Sequence, residues 1–495
     1  MMSADRIAQF HALFNPRGVV VAGASSHPGK FGFTALHNVR ANGFSGPVFP
    51  INREGETILG QPTYQSIDDI PHGQADLVIV CTPAKSNPAI LRSCAAKGIR
   101  AAFVASAGYR ESDEAGAQAE RELVELADEL GILLAGPNGQ GLVSTPAKLC
   151  AQIVAPYPIS GRISIASQSG NLCSAFMNIA NASGAGIARA ISVGNAAATT
   201  VADVAEFYAA DPQTGVVLAY LESVSDGRRF LEQMQAVSEH KPVVLLKGGS
   251  TAAGQTAAAS HTGALASVDR VLDGALRQVG VRRALTVAEA YDAAAAFATQ
   301  PMPRGPRVAV LTTVGGWGVL TADAIANSSL ELTKLSPDLL AAIDDKLPPR
   351  WSKSNPIDMA GGETRDTIPE LVEIVASHDS VDAVIFLGLG VQSNTARLLR
   401  SGPYYPDHGL ERIVEFHERQ DVRFAEAAVA VSGKTAKPVL VASELGLTDP
   451  NNPGPLALRN SGQVCFPSAE RAVTALNHMW SYVCWRRARG LTERI

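Results

Sequence analysis

No apolar run in these 495 residues approaches the ~18 that a membrane-crossing helix needs. VVVAGA at 19–24 is short and passes straight into turn residues. Neither charge sign dominates: 42 Lys and Arg stand against 47 Asp and Glu, a formal net charge of −5. The chain therefore lacks the basic footprint of a nucleic-acid binder or of a protein held on anionic lipid. Cysteine is scarce, and Cys81, Cys94, Cys150, Cys173, Cys465 and Cys484 form no CxxC and no neighbouring Cys/His pair. That suits free thiols in a reducing cytosol and argues against structural zinc. The N-terminus, MMSADRIAQFHALF, carries an acidic residue and no cleavable apolar core, so no signal peptide is expected and the cytoplasm is the expected compartment. No GxxxxGK[ST] phosphate loop occurs.

What is present is an ordinary globular composition, 46% hydrophobic and 18% charged, in a chain long enough for about three domains. Short β-branched runs (RGVVVAG, ADLVIVCTP, GRISIAS, RVAVLTT) alternate with helical patterns, the signature of parallel α/β sheets. Pro/Gly-rich joints at APYPISG (155–161) and QPMPRGP (300–306) divide the chain into 1–150, 151–300 and 301–495. The last two segments look like copies of one plan. RISIASQSGNLCSAF answers RVAVLTTVGGWGVLT, VVLAYLES answers AVIFLGLG, and KPVVLLKGG answers KPVLVASE. In this alignment Leu389 stands where the first copy has Glu222, and nothing answers the loop SHTG around His261. The plan alone thus does not require His261 or Glu222.

In the first segment the strand VVVAG leads into ASSHPGKFG, a Gly-bounded turn opening a helix, whose backbone N–H groups suit a phosphate. It is not GxGxxG. The next strand ends on Asn52 and Arg53, where an NAD site would place an acidic residue for the ribose hydroxyls. A cation there suits a phosphorylated ribose, that of NADP or of coenzyme A. Further strand ends bring Thr82 and Pro83, then Ser106 and Gly108, then Asn138, to the edge where open α/β sheets bind ligands.

In the second segment SQSGN (167–171) follows a strand and begins a helix, so Ser169 and Gly170 make either an anion site or a plain helix cap. Ala166 occupies the first position of what would be a GxSxG elbow around Gln168, so a serine hydrolase is a poor fit. Glu222 ends a strand, suited either to a surface ion pair or to orienting an imidazole. His261 follows the small-residue run KGGSTAAGQTAAA and could be structural, a base, or a nucleophile carried between sites; no second ligand at helical or loop spacing supports a metal.

Taken together, these motifs resemble the α part of the nucleoside-diphosphate-forming acyl-CoA synthetases, relatives of the succinyl-CoA synthetase α subunit, over essentially all 495 residues. The most specific match is GGS-x-AG followed by SHTGALA. The resemblance implies a Rossmann-like CoA-binding domain followed by two flavodoxin-like domains. It implies that His261 is transiently phosphorylated, that Glu222 holds it, and that Ser169 and Gly170 belong to the phosphate-binding turn. GASSHPGKFG (with Gly23, Ser25, Ser26, Gly29 and Lys30), PINR, CTPA, ASAGYRE and GPNGQG match the family's CoA loops, while GGWGVL and NPIDM carry the match into the third segment. The chain departs from the family at Gly139, where GPNC is usual, at Trp317, where a proline is usual, and in AAATT after SVGN.

The implied reaction is reversible: acyl-CoA, phosphate and ADP interconvert with acid, CoA and ATP through an acyl phosphate and a phosphohistidine. Because no ATP-grasp pattern is visible, ADP/ATP and Mg²⁺ are expected only through a separate ATP-grasp β subunit, in an oligomer. Two other readings stand beside it: a non-catalytic CoA- or acyl-CoA-binding protein of the same fold, and an NADP-dependent oxidoreductase.

Overall fold

The computed structural model describes residues 2–154, 156–251, 253, 254, 256, 269–359 and 366–491. They form two compact units, one running to residue 287 apart from 182–185, the other made of 182–185 and the residues from 288 onward.

The first unit holds two sheets. In the first, β1 (Val19–Ala22), β2 (Val48–Ile51), β3 (Leu77–Val80), β4 (Ala101–Val104) and β5 (Leu133–Ala135) run parallel in the order β2-β1-β3-β4-β5. VVVA, LVIV and AAFV are buried at every position, as strands covered on both faces must be. This is the doubly wound order, with its switch point between β1 and β3. The tight β1–helix turn explains its glycines. Gly23 sits at φ +85°, and a Cβ on Gly32 would lie 1.9 Å from the Gly23 carbonyl oxygen.

The second sheet has the order β12-β11-β10-β8-β9-β6-β7. Its strands are β6 (Gly141–Ser144), β7 (Leu149–Gln152), β8 (Ser160–Ser167), β9 (Ile187–Ser192), β10 (Val216–Leu221), β11 (Val243–Lys247) and β12 (Arg282–Ala284). The hairpin β6–β7 joins antiparallel to β9, so the boundary drawn at residue 150 falls inside a strand of this sheet. A buried ion pair, Arg189 Nε to Asp211 at 2.7 Å, sits under it, and Arg189 also donates to Ser144 Oγ and to Asn15 beside the first helix, Ala4–Phe14.

The second unit is built on β13 (Arg307–Thr312), β14 (Glu331–Leu332), β15 (Ile357–Asp358), β16 (Ala383–Leu387), β17 (Val439–Ala442) and β18 (Cys465–Phe466). Its order, β14-β13-β16-β17-β18, matches β9-β8-β10-β11-β12 of the second sheet, strand for strand. Even the turn is repeated. Ser167 Oγ donates to the Ser169 carbonyl and accepts from its N–H, and Thr312 Oγ1 does the same with Val314. The ladders pair Tyr220 with Ser167 and Leu387 with Thr312, so Glu222 and Leu389 are equivalent positions. Leu389 is fully buried in apolar core, whereas Glu222 is half-buried. The two copies keep one scaffold and differ at the strand end. The fold is α/β throughout: a Rossmann-like domain followed by two flavodoxin-like ones.

Candidate functional site

The strand ends of the first sheet bring together the loops singled out from the sequence. Asn52 donates to the Ala24 carbonyl at 3.0 Å and accepts from the Glu54 N–H, tying the loop after β2 to that after β1. Ser25 accepts from the His27 N–H. Ser26, Gly29, Lys30 and Arg53 are exposed on these two loops. Thr82 and Ser106, on the ends of β3 and β4, meet through Asn87. The Thr82 hydroxyl donates to Asn87 Oδ1 at 2.8 Å, and Asn87 Nδ2 donates to Ser106 Oγ and to the Tyr109 hydroxyl. Pro83 leads the short helix Ala84–Ser86. Gly108 (φ +99°) and Asn138 (φ +59°) shape the last two loops. Asn87 is fully buried and was not foreseen; a buried Asn inside an apolar helix start is its only trace in the sequence.

After β8, the side chain of Gln168 crosses to the loop after β10. Its Oε1 accepts from the N–H groups of Glu222 and Ser223, and its Nε2 donates to the Ser223 carbonyl. Ser169 Oγ accepts from the Leu172 N–H at 3.4 Å, capping the helix Gly170–Ser183. Gly170 has a steric reason: a Cβ there would lie 2.2 Å from Cδ of Gln140, whose Oε1 is buried without a hydrogen-bond partner among the described residues. Beyond Glu222, the Tyr220 hydroxyl lies 3.5 Å from Oε1 of Glu222. Burial, then the Glu222 charge and this hydrogen bond, push the Tyr220 phenol up to about 12. Lys247 Nζ donates to the Glu222 carbonyl at 2.8 Å. Its pKa lies below the ordinary lysine value because burial, helped by the Arg283 charge, outweighs the pull of Asp269 and Glu222.

Ser169, Gly170, Glu222, Gln140 and Asn138 all line one cavity of about 600 Å³, entered from both sheets of the first unit. A network on its wall was also not foreseen. Asn195 Nδ2 donates to Glu111 at 2.6 Å and to Glu120 at 2.7 Å, and Arg110 pairs with Glu120 at 3.6 Å and donates to the Asn195 carbonyl. Burial opposes ionisation of Glu111, but hydrogen bonds from Asn195 and from the 108, 109 and 111 backbone hold its pKa below the usual range. Its partners lie about 85 residues away in sequence, which is why only the motifs ASAGYRE and SVGN hinted at them. His261 lies outside the described residues. Among the described residues no cluster of His, Cys, Asp or Glu is arranged to hold a metal ion, and no helix is long and apolar enough to cross a membrane.

Three family models match the chain: a CoA binding domain over 17–144, a succinyl-CoA ligase like flavodoxin domain over 160–297, and a Ligase-CoA domain over 308–391. The chain is 33% identical over 479 residues to the acetate–CoA ligase [ADP-forming] I subunit alpha of Pyrococcus furiosus, covering 96% of this chain and 98% of that one. It is 36% identical over 373 residues to acetate–CoA ligase [ADP-forming] I of Archaeoglobus fulgidus, covering 75% of this chain and 54% of that longer one. Among solved structures, the "dinucleotide forming Acetyl-coenzyme A synthetase 1 in complex with phosphate and ADP" of Ca. Korarchaeum cryptofilum superposes with a TM-score of 0.83 at 30% identity, covering 98% of this chain and 99% of that one.

Proposed function

The chain belongs to the ADP-forming acyl-CoA ligases, and from that premise we propose that it is the α-type component of such a ligase, working through an acyl phosphate and a phosphohistidine. The observation that carries this is the shared cavity: the capped turn at Ser169–Gly170 and the Glu222 carboxylate face one space, with the Asn138 loop of the first sheet on its wall.

The loops at Gly23, Ser25, Ser26, Gly29, Lys30, Asn52, Arg53, Thr82, Pro83, Ser106, Gly108 and Asn138 hold CoA, with Arg53 meeting its 3′-phosphate. Phosphate sits at the N-terminus of the helix Gly170–Ser183, where backbone N–H groups and the helix dipole offset its charge. One of its oxygens attacks the thioester carbonyl. The C–S bond breaks, the CoA thiolate leaves and takes a proton, and an acyl phosphate remains. An imidazole nitrogen of His261 then attacks phosphorus and expels the carboxylate, which departs as the free acid. Glu222 orients the imidazole and stabilises its positive charge. The phosphoryl group passes to ADP, bound with Mg²⁺ by a separate ATP-grasp subunit. Two findings support that division of labour: the Pyrococcus relative is named an α subunit, and the Archaeoglobus relative is roughly twice as long as the part matched here.

The test is phosphate-dependent release of free CoA from acyl-CoA, with and without an ATP-grasp subunit. Phosphate-dependent release, with ATP formed only when that subunit and ADP are added, supports the proposal. CoA binding without release under either condition would instead make the chain a binding protein of this fold.

A further inference from the structure

Strand β10 ends at Leu221, so Glu222 stands one residue past it, and side chains take over the work of the ladder there. Gln168 Oε1 accepts from the N–H groups of Glu222 and Ser223. From the end of β11, Lys247 Nζ donates to the Glu222 carbonyl at 2.8 Å and to the Gly248 carbonyl. Gln168 Nε2 donates to the Ser223 carbonyl at 3.3 Å, so this carboxamide is engaged at both ends. We propose that Gln168 and Lys247 are positioning residues that clamp the backbone on both sides of Glu222, fixing how its carboxylate is presented for phosphoryl transfer. The inference rests on the reaction proposed above.

Peptide units are planar, so two soft dihedrals per residue decide where a Cα–Cβ bond points. The Glu222 N–H belongs to the plane before its Cα. The Glu222 carbonyl and the Ser223 N–H belong to the plane after it. Gln168 holds the first plane, and Gln168 and Lys247 together hold the second. With both planes anchored, the Cβ direction is set and only rotations within the side chain remain. The Tyr220 hydroxyl, 3.5 Å from Oε1, is placed to limit those.

The second unit shows that the scaffold does not need this clamp. Thr313 follows Thr312 as Gln168 follows Ser167, and its N–H donates to the Leu387 carbonyl as that of Gln168 donates to the Tyr220 carbonyl. Its Oγ1, however, is buried without a hydrogen-bond partner among the described residues. The ladders place Ser443 where Lys247 stands, and the Ser443 hydroxyl accepts from the Leu445 N–H two residues on. Leu389, the counterpart of Glu222, is buried in apolar core. The copy with the carboxylate has the clamp, and the copy with leucine has neither of its two side chains.

The test follows single turnovers of the full chain with labelled phosphate and acetyl-, butanoyl- or succinyl-CoA, reading CoA release and histidine labelling separately. Gln168→Met and Lys247→Met keep the approximate length of each side chain and remove its hydrogen bonds. Each is expected to lower the ratio of the labelling rate to the CoA-release rate by about tenfold or more, the scale on which a small misplacement is felt. A ratio is insensitive to the fraction of folded protein, so partial misfolding of a variant does not mimic the effect. A double-mutant cycle then separates positioning from general damage to the loops. Because both residues act through the Glu222 carboxylate, adding either Met substitution to Glu222→Gln should slow labelling by less than about twofold further. An unchanged ratio in either variant, or the full penalty recurring in the Glu222→Gln background, would overturn this inference alone. No CoA release from any of the three thioesters would overturn the reaction itself, and this inference with it.

Discussion

At the scale of single residues, the proposed chemistry depends on what stands at the end of β10. The equivalent strand of the second unit ends on the buried Leu389, so a carboxylate at position 222 is not a requirement of the scaffold. Glu222→Gln should therefore fold with an unchanged melting temperature yet slow phosphoryl transfer by orders of magnitude, as loss of an imidazole's orienting carboxylate does elsewhere. Rapid-quench kinetics on the variant read this directly. Gly170→Ala makes a different prediction. The three atoms nearest its Cβ are Cγ, Cδ and Oε1 of Gln140, all on one side chain that can change rotamer, so the protein should remain folded. The displaced Gln140 would then intrude on the cavity, and the KM for phosphate should rise several-fold in steady-state assays. Arg53→Ala should weaken CoA binding by ~1.5–3 kcal/mol, the usual value of a charge-assisted hydrogen bond, and weaken 3′-dephospho-CoA much less. Calorimetry with the two ligands separates these outcomes, and equal loss for both would assign Arg53 elsewhere. The strand-end placement of Thr82, Ser106 and Glu222 was legible because each follows a short apolar strand run. The contacts of Gln168, Asn87 and Asn195 were not. A carboxamide is defined by its partners, and theirs are supplied by loops far away in sequence.

At the scale of elements, alternating runs and small-residue turns were enough to foresee parallel sheets, because buried parallel strands are apolar at every position. The repeat was legible for the same reason, and the equal strand orders of the second and third sheets give it a physical form. What local sequence did not reveal was the hairpin β6–β7, which belongs to the second sheet by antiparallel pairing with β9 rather than by any local signal. Beside the stacking of Phe10 and Phe14 on Phe207, the buried Arg189–Asp211 pair ties this sheet to the end of the first helix, with Ser144 and Asn15 as further acceptors. Arg189→Ala leaves Asp211 buried without its counter-charge and should destabilise the unit by about 3–5 kcal/mol, measured by urea unfolding. The pH dependence has a definite sign. Burial raises the Asp211 pKa, but the hydrogen bond and charge of Arg189 outweigh it and leave it below the unfolded value. Its contribution is therefore complete above the unfolded carboxylate's pKa of ~3.9 and lost as pH falls from there through the lower native value. The Arg189→Ala penalty should accordingly be largest near neutrality and shrink on acidification.

At the scale of the whole molecule, the same doubly wound plan is used three times, and the proposed chemistry lies at the cavity where the first two sheets bring their strand-end loops together. The first sheet supplies loops suited to CoA, and the second a capped turn suited to phosphate and a carboxylate. The third keeps the turn and replaces the carboxylate with leucine. In the proposed mechanism a single chain so built cleaves the thioester and holds the phosphoryl group, and a further subunit delivers that group to ADP. The central claim is that the phosphoryl group rests on His261 in between. Incubation of the chain with acyl-CoA and radiolabelled phosphate, followed by acid and base treatment and peptide mapping, tests it most directly. The account predicts an acid-labile, base-stable label on the peptide containing His261, absent from His261→Asn; a label of the same stability persisting in His261→Asn would contradict it.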